Sequence, residues 1–63
     1  MNGKVKFYNE KKGFGFITGD DKKEYFFHVS KVENQEVLSE NDEVEFETIE
    51  TPRGEQADNI KRA

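Results

Sequence analysis

Five short runs of strand-forming residues, each closed within a few positions by turn-forming ones, steer this chain toward an all-β fold. The runs cover residues 4–8, 14–18, 25–29, 42–49 and, more loosely, 56–61. Between them lie Asn9-Glu10-Lys11-Lys12-Gly13, Gly19-Asp20-Asp21-Lys22-Lys23, a polar stretch over 30–41 and a turn around Pro52 and Gly54. Ser30-Lys31-Val32 is expected to begin one helical or 3₁₀ turn, with Ser30 as its cap. No periodic segment is long enough for a stable helix. Five short strands with tight turns predict a closed or nearly closed barrel, which also removes the exposed edges that invite aggregation.

Period-two alternation assigns faces. In the fourth run Val44 and Phe46 point inward and Glu43, Glu45 and Glu47 outward. In the fifth, Ala57 and Ile60 are three apart, so either the strand carries a bulge or only one of them reaches the core. The second and third runs admit two assignments. Burying Phe14 and Phe16 is the ordinary fate of strand phenylalanines, but it exposes Ile17 beside a glycine and brings His28 to a core face with Phe26. The opposite assignment buries Val5, Ile17, Tyr25, Phe27, Val44 and Phe46, and leaves Phe14, Phe16, Phe26 and His28 as one exposed cluster. Gly13 would supply a turn with positive φ, and Gly13 and Gly15 would clear bulk beside the exposed rings.

Charge and aromatic content divide along the chain. Residues 1–31 hold seven lysines against four acids, a balance of +3, whereas residues 32–63 hold three basic groups against ten acids, a balance of −7. Seven of the eight aromatics lie in the first 27 residues, with only Phe46 in the acidic half. A ligand feels the field within a Debye length of ~8–10 Å, so the local balance matters more than the net −4. Rings interleaved with lysine are what a protein needs to stack the bases of single-stranded nucleic acid while screening its phosphates. The acids of the second half are read as a solvated surface that also repels duplex DNA.

The 63 residues suffice for one domain, spanning 1–63. With no cysteine and one histidine, the chain has no disulfide, no metal cluster and no Cys-His pair, so no cofactor and no enzymatic activity are expected. Residues 1–6 lack the apolar stretch of a secretory signal, and no run approaches the ~20 apolar residues of a membrane helix. A cytoplasmic monomer with no small-molecule substrate and no membrane association is therefore expected. The rival reading is a protein-interaction domain whose aromatic patch docks a partner; nucleic-acid binding must weaken steeply with salt, whereas a hydrophobic contact would not.

Lys12-Gly13-Phe14-Gly15-Phe16-Ile17 resembles the first ribonucleoprotein motif of the cold-shock protein family, and Tyr25-Phe26-Phe27-His28-Val29 resembles the second. The opening Asn2-Gly3-Lys4-Val5-Lys6-Phe7-Tyr8-Asn9 is similar to the family's Gly-Lys-Val-Lys-Trp-Phe-Asn, and Arg53-Gly54-Glu55-Gln56-Ala57 to its Arg-Gly-Pro-Gln-Ala. All four segments occur in order across the whole chain. The resemblance implies a five-stranded antiparallel β-barrel of the oligonucleotide-binding (OB) type, single-stranded RNA or DNA as partner, and ATP-independent RNA chaperone activity. It carries the binding role onto Lys6, Phe7, Tyr8, Lys12, Phe14, Phe16, Phe26, His28 and Arg53. Phe7 comes to the surface only if the first strand bends, since alternation from Val5 would bury it. Three departures predict weaker binding or a shorter footprint: Phe7 and Tyr8 replace Trp and Phe, Val29 replaces a frequent aromatic, and the loop over 33–37 is about two residues short and lacks a Gly-Phe.

Overall fold

A computed structural model of the chain describes residues 1–33 and 37–63. Five strands form the barrel: β1 (Asn2–Asn9), β2 (Phe14–Gly19), β3 (Glu24–His28), β4 (Glu43–Thr51) and β5 (Gly54–Arg62). Their order around the closed barrel is β1-β2-β3-β5-β4, with β4 returning to β1. Four of the contacts are antiparallel, and closure comes from a short parallel contact in which Phe26 of β3 faces Gln56 of β5. A second parallel bridge, Val32 with Ile60, reinforces that seam.

The expected interior is present. Val5, Ile17, Tyr25, Phe27, Val44 and Phe46 are all buried, each removed from water by alternation on its own strand. Four further residues join them: Val32, Leu38, Ala57 and Ile60. Val32 and Leu38 come from the polar stretch, so the long connection contributes two apolar side chains to the core. Ala57 and Ile60 both reach the core because β5 is bulged. Glu45 faces Lys61 and Glu47 faces Asp58, which sets Asn59 and Ile60 together against Phe46. Asn59 absorbs the distortion at φ +48°, a conformation that asparagine tolerates better than most residues.

A single 3₁₀ turn over Val29–Lys31 follows β3. Its cap is His28 rather than Ser30: the His28 ring accepts the Ser30 backbone N–H, doing the work expected of a serine hydroxyl two residues later. Residues 34–36, where the shortened loop falls, lie outside the described residues. At the far end of that connection, a turn over 39–42 is tied to β1 by Val5 N–H to Asp42 O at 2.9 Å and Asn41 N–H to Val5 O at 2.7 Å.

Candidate nucleic-acid interface

The outer face of β2 and β3 follows from what their inner face must bury. On β2 the buried positions are Gly15, Ile17 and Gly19, leaving Phe14, Phe16 and Thr18 half-exposed; on β3 Tyr25 and Phe27 are buried, Phe26 is half-exposed and His28 exposed. The antiparallel register sets Phe14 opposite His28 and Phe16 opposite Phe26, so the outward rings meet across the two strands. Phe26 lies 5.8 Å from both Phe14 and Phe16 between ring centroids, tilted by 31° to the first and near-perpendicular at 71° to the second.

Phe7 completes the patch through a bulge. Val5 faces Ile17 and Phe7 faces Phe16, so Lys6 is the extra residue in β1. Without it Phe7 would point inward with Val5; with it Phe7 is 39% exposed, its ring 6.3 Å from Phe14. The bend that the resemblance required is this one. The same bulge turns the Tyr8 ring toward the core. Tyr8 is half-buried and stacks on core Phe27 at 5.8 Å and 15°.

Gly15 also has a different reason from the one anticipated. A Cβ there would collide with the Phe7 carbonyl oxygen and sit 2.8 Å from the Phe27 ring. The missing side chain is needed by the interior, where Phe27 passes beneath β2, and not by the outer rings. Gly13 behaves as expected, with φ +74° closing the β1–β2 turn and its N–H donating to Asn9 O at 2.8 Å. Asn9 Oδ1 accepts the Lys12 backbone N–H at 3.0 Å, which fixes the loop that carries the exposed Lys12 side chain to the head of β2.

His28 is held by its cap. Ser30 donates its N–H to His28 Nδ1 at 3.1 Å, and Ser30 Oγ lies 2.8 Å from the same nitrogen. With Nδ1 accepting, the neutral ring carries its proton on Nε2. Arg53 arrives from the other side of the closure. The Thr51 hydroxyl accepts the Arg53 N–H at 3.1 Å and donates to Gly54 O at 2.8 Å, shaping the β4–β5 turn. A cleft lined by Phe26, Arg53, Glu55 and Gln56 results.

Two residues on this face escaped sequence reasoning. Glu24 forms an ion pair with Lys6 across the edge of the patch, both side chains about half exposed. Its signal was alternation itself, because 24, 26 and 28 share a face. Gln56 faces Phe26, and nothing local in the sequence announces a parallel seam of one residue pair. Among the described residues no group of three or more His, Cys, Asp or Glu side chains is arranged to hold a metal ion. No helix among them is long and apolar enough to cross a membrane.

The barrel agrees with comparison to known proteins. The family model for the 'Cold-shock' DNA-binding domain matches residues 1–63. A cold shock-like protein of Bacillus cereus, CspB, is 42% identical over 64 residues, covering 98% of each chain. Cold shock protein CspD of Bacillus subtilis is 44% identical, covering 95% of this chain and 94% of its own. A cold shock-like protein of Thermotoga maritima is also 44% identical, covering 97% and 96%. Among solved structures, the drosophila Unr CSD456 chain superposes with a TM-score of 0.81 at 33% identity, over 98% of this chain; this chain spans 26% of that longer one. With every strand of the barrel inside the matched region, the chain belongs to the cold-shock domain family.

Proposed function

We propose that the nucleic acid this domain binds is single-stranded, RNA or DNA, laid across β2 and β3 with its bases unstacked onto Phe7, Phe14, Phe16 and Phe26. The observation that carries this reading is the contiguous outward patch, in which neighbouring ring centroids are 5.8–6.3 Å apart. Flat apolar rings accept any base, each stack contributing ~1–3 kcal/mol, so base preference from stacking alone is mild. His28 presents its Nε2–H to a base edge or a phosphate. Lys6, Lys12 and Arg53 screen the backbone, Lys6 exchanging its contact with Glu24 for one with phosphate. Tyr8 supports the platform from beneath through Phe27 instead of stacking a base.

Duplex nucleic acid offers no exposed base faces and presents phosphates on a broad front that the acidic strands oppose. Holding the open form shifts hairpin equilibria by mass action without ATP, which is the physical content of RNA chaperone activity. The domain acts as a monomer in the cytoplasm and performs no covalent chemistry. Anisotropy titration of labelled single strands of six to twelve nucleotides, with a duplex control, at several salt concentrations tests the proposal. Single strands are expected to bind tighter than duplex, with affinity falling steeply as salt rises. Equal affinity for duplex, or indifference to salt, would overturn it, and the latter would favour a protein partner on the same rings.

A further inference from the structure

We infer that Glu55 makes the cleft beside Phe26 selective for a base that presents amino N–H donors, guanine foremost, over uracil or thymine. The inference rests on the single-stranded reading of the aromatic face. Phe26, Arg53, Glu55 and Gln56 line the cleft, brought together by the parallel pairing of Phe26 with Gln56. Phe26 offers a partly exposed ring as a stacking surface, and three polar residues of different character line the cleft with it. None of these three is hydrogen-bonded or ion-paired through its side chain to another described residue; the one contact of Arg53 is through its backbone N–H. Across the hairpin Glu55 faces Glu50, another carboxylate, so no neighbouring cation in register neutralises it.

A carboxylate on the path of a polyanion weakens binding unless the ligand satisfies it, and this turns a cost into discrimination. Guanine carries N1–H and N2–H side by side on its Watson–Crick edge, two donors that match the two oxygens of Glu55. Adenine and cytosine each offer one amino group. Uracil and thymine offer one N–H between two carbonyl oxygens, which a carboxylate repels.

The test is anisotropy titration of thymine hexamers, each with one guanine placed at successive positions, against wild type and Glu55→Gln. At one position guanine is expected to tighten binding by about five- to tenfold, the lower end for a bidentate base contact. In Glu55→Gln that gain disappears, while the all-thymine hexamer binds as well or better. Glu55 is exposed at the start of β5, so a matching thermal melt verifies that the variant is folded. No guanine gain at any position, or an equal gain in Glu55→Gln, overturns the inference while leaving single-strand binding intact. Failure of every hexamer to bind overturns the single-stranded reading and this one with it.

Discussion

The sheet of β1–β3 and the ribbon of β4–β5 share one core and present opposite surfaces to water. The first sets lysines around outward phenylalanines; the second sets acids against acids, Glu47 facing Asp58 and Glu50 facing Glu55 across the hairpin. Like charges directly opposite are destabilising in an antiparallel pair. The ribbon offsets this in places, through Lys61 with Glu45 at 3.6 Å, Lys31 with Asp58 at 3.9 Å, Arg62 with Asp42 at 4.0 Å and the Asn59 amide donating to Glu47 at 2.9 Å. Local repulsion is tolerated where the interior beneath is complete, and it gives the barrel one side rich in lysine and one rich in acids.

The largest effects should come from exchanging inner for outer phenylalanines. Phe27 is fully buried, and Phe27→Ala leaves a cavity expected to cost about 3–5 kcal/mol, enough to unfold a domain of this size. Phe14 and Phe26 lie on the outer face, so Phe14→Ala or Phe26→Ala should leave the circular-dichroism melt close to wild type. Each should weaken single-strand binding by ~1–3 kcal/mol, about five- to 150-fold. If Phe14→Ala unfolds the barrel, the assignment of faces is reversed.

That assignment was legible because β2 and β3 alternate strictly and only one choice buries Ile17, Tyr25 and Phe27 together. The core of Val44 and Phe46 was legible for the same reason. Alternation failed where a strand carries an extra residue. The Lys6 bulge moves Phe7 outward and Tyr8 inward, and the bulge at Asn59 and Ile60 lets both apolar residues of β5 reach the core. A bulge leaves only a broken period in the sequence, and Ala57 and Ile60 showed one without saying how it resolves. Long-range pairings left less. The seam that brings Arg53 and Gln56 to Phe26 is one parallel pair between segments far apart in sequence, and the Lys6–Glu24 contact depends on the bulge.

Salt should separate the two regions next. With Lys6, Lys12 and Arg53 as phosphate contacts, log affinity is expected to fall with log salt at a slope of about −2, or ~0.7 per contact on a single strand. The melting temperature of the free protein should rise over the same range, as screening relieves the acidic ribbon. A parallel fall of both would mean that lysine ion pairs, not acidic repulsion, dominate the surface energetics. A smaller effect isolates one contact. Glu24→Gln frees Lys6 from an exposed ion pair of ~0.2–1 kcal/mol, so binding should tighten by at most about fivefold at low salt and converge on wild type at high salt.

The finest probe of the comparison sits where the two regions meet. Tyr25 of β3 has a buried ring, and its hydroxyl donates to Asp21 Oδ2 at 2.6 Å. That hydrogen bond, with desolvation and the charges of Asp21, Glu55 and Asp20, pushes the phenol up from 10.0 to about 12. Glu55 belongs to the acidic ribbon, so the phenol registers the field of both regions. The same bond, with the Lys23 backbone N–H, lowers the Asp21 carboxyl. A phenol whose pKa is raised on folding keeps its proton in the folded state while the unfolded chain releases it. Its contribution is whole below pH 10 and is lost as pH rises from 10 to about 12. Lysines also lose charge in that window, so the reading is a difference: chemical denaturation of wild type and Tyr25→Phe from pH 9 to 12 should show wild type losing stability more steeply. Glu55→Gln should reduce that excess slightly and Asp21→Asn should remove most of it, the order expected if the hydrogen bond outweighs the ribbon's field. A Tyr25→Phe curve as steep as wild type would mean that the phenol feels neither.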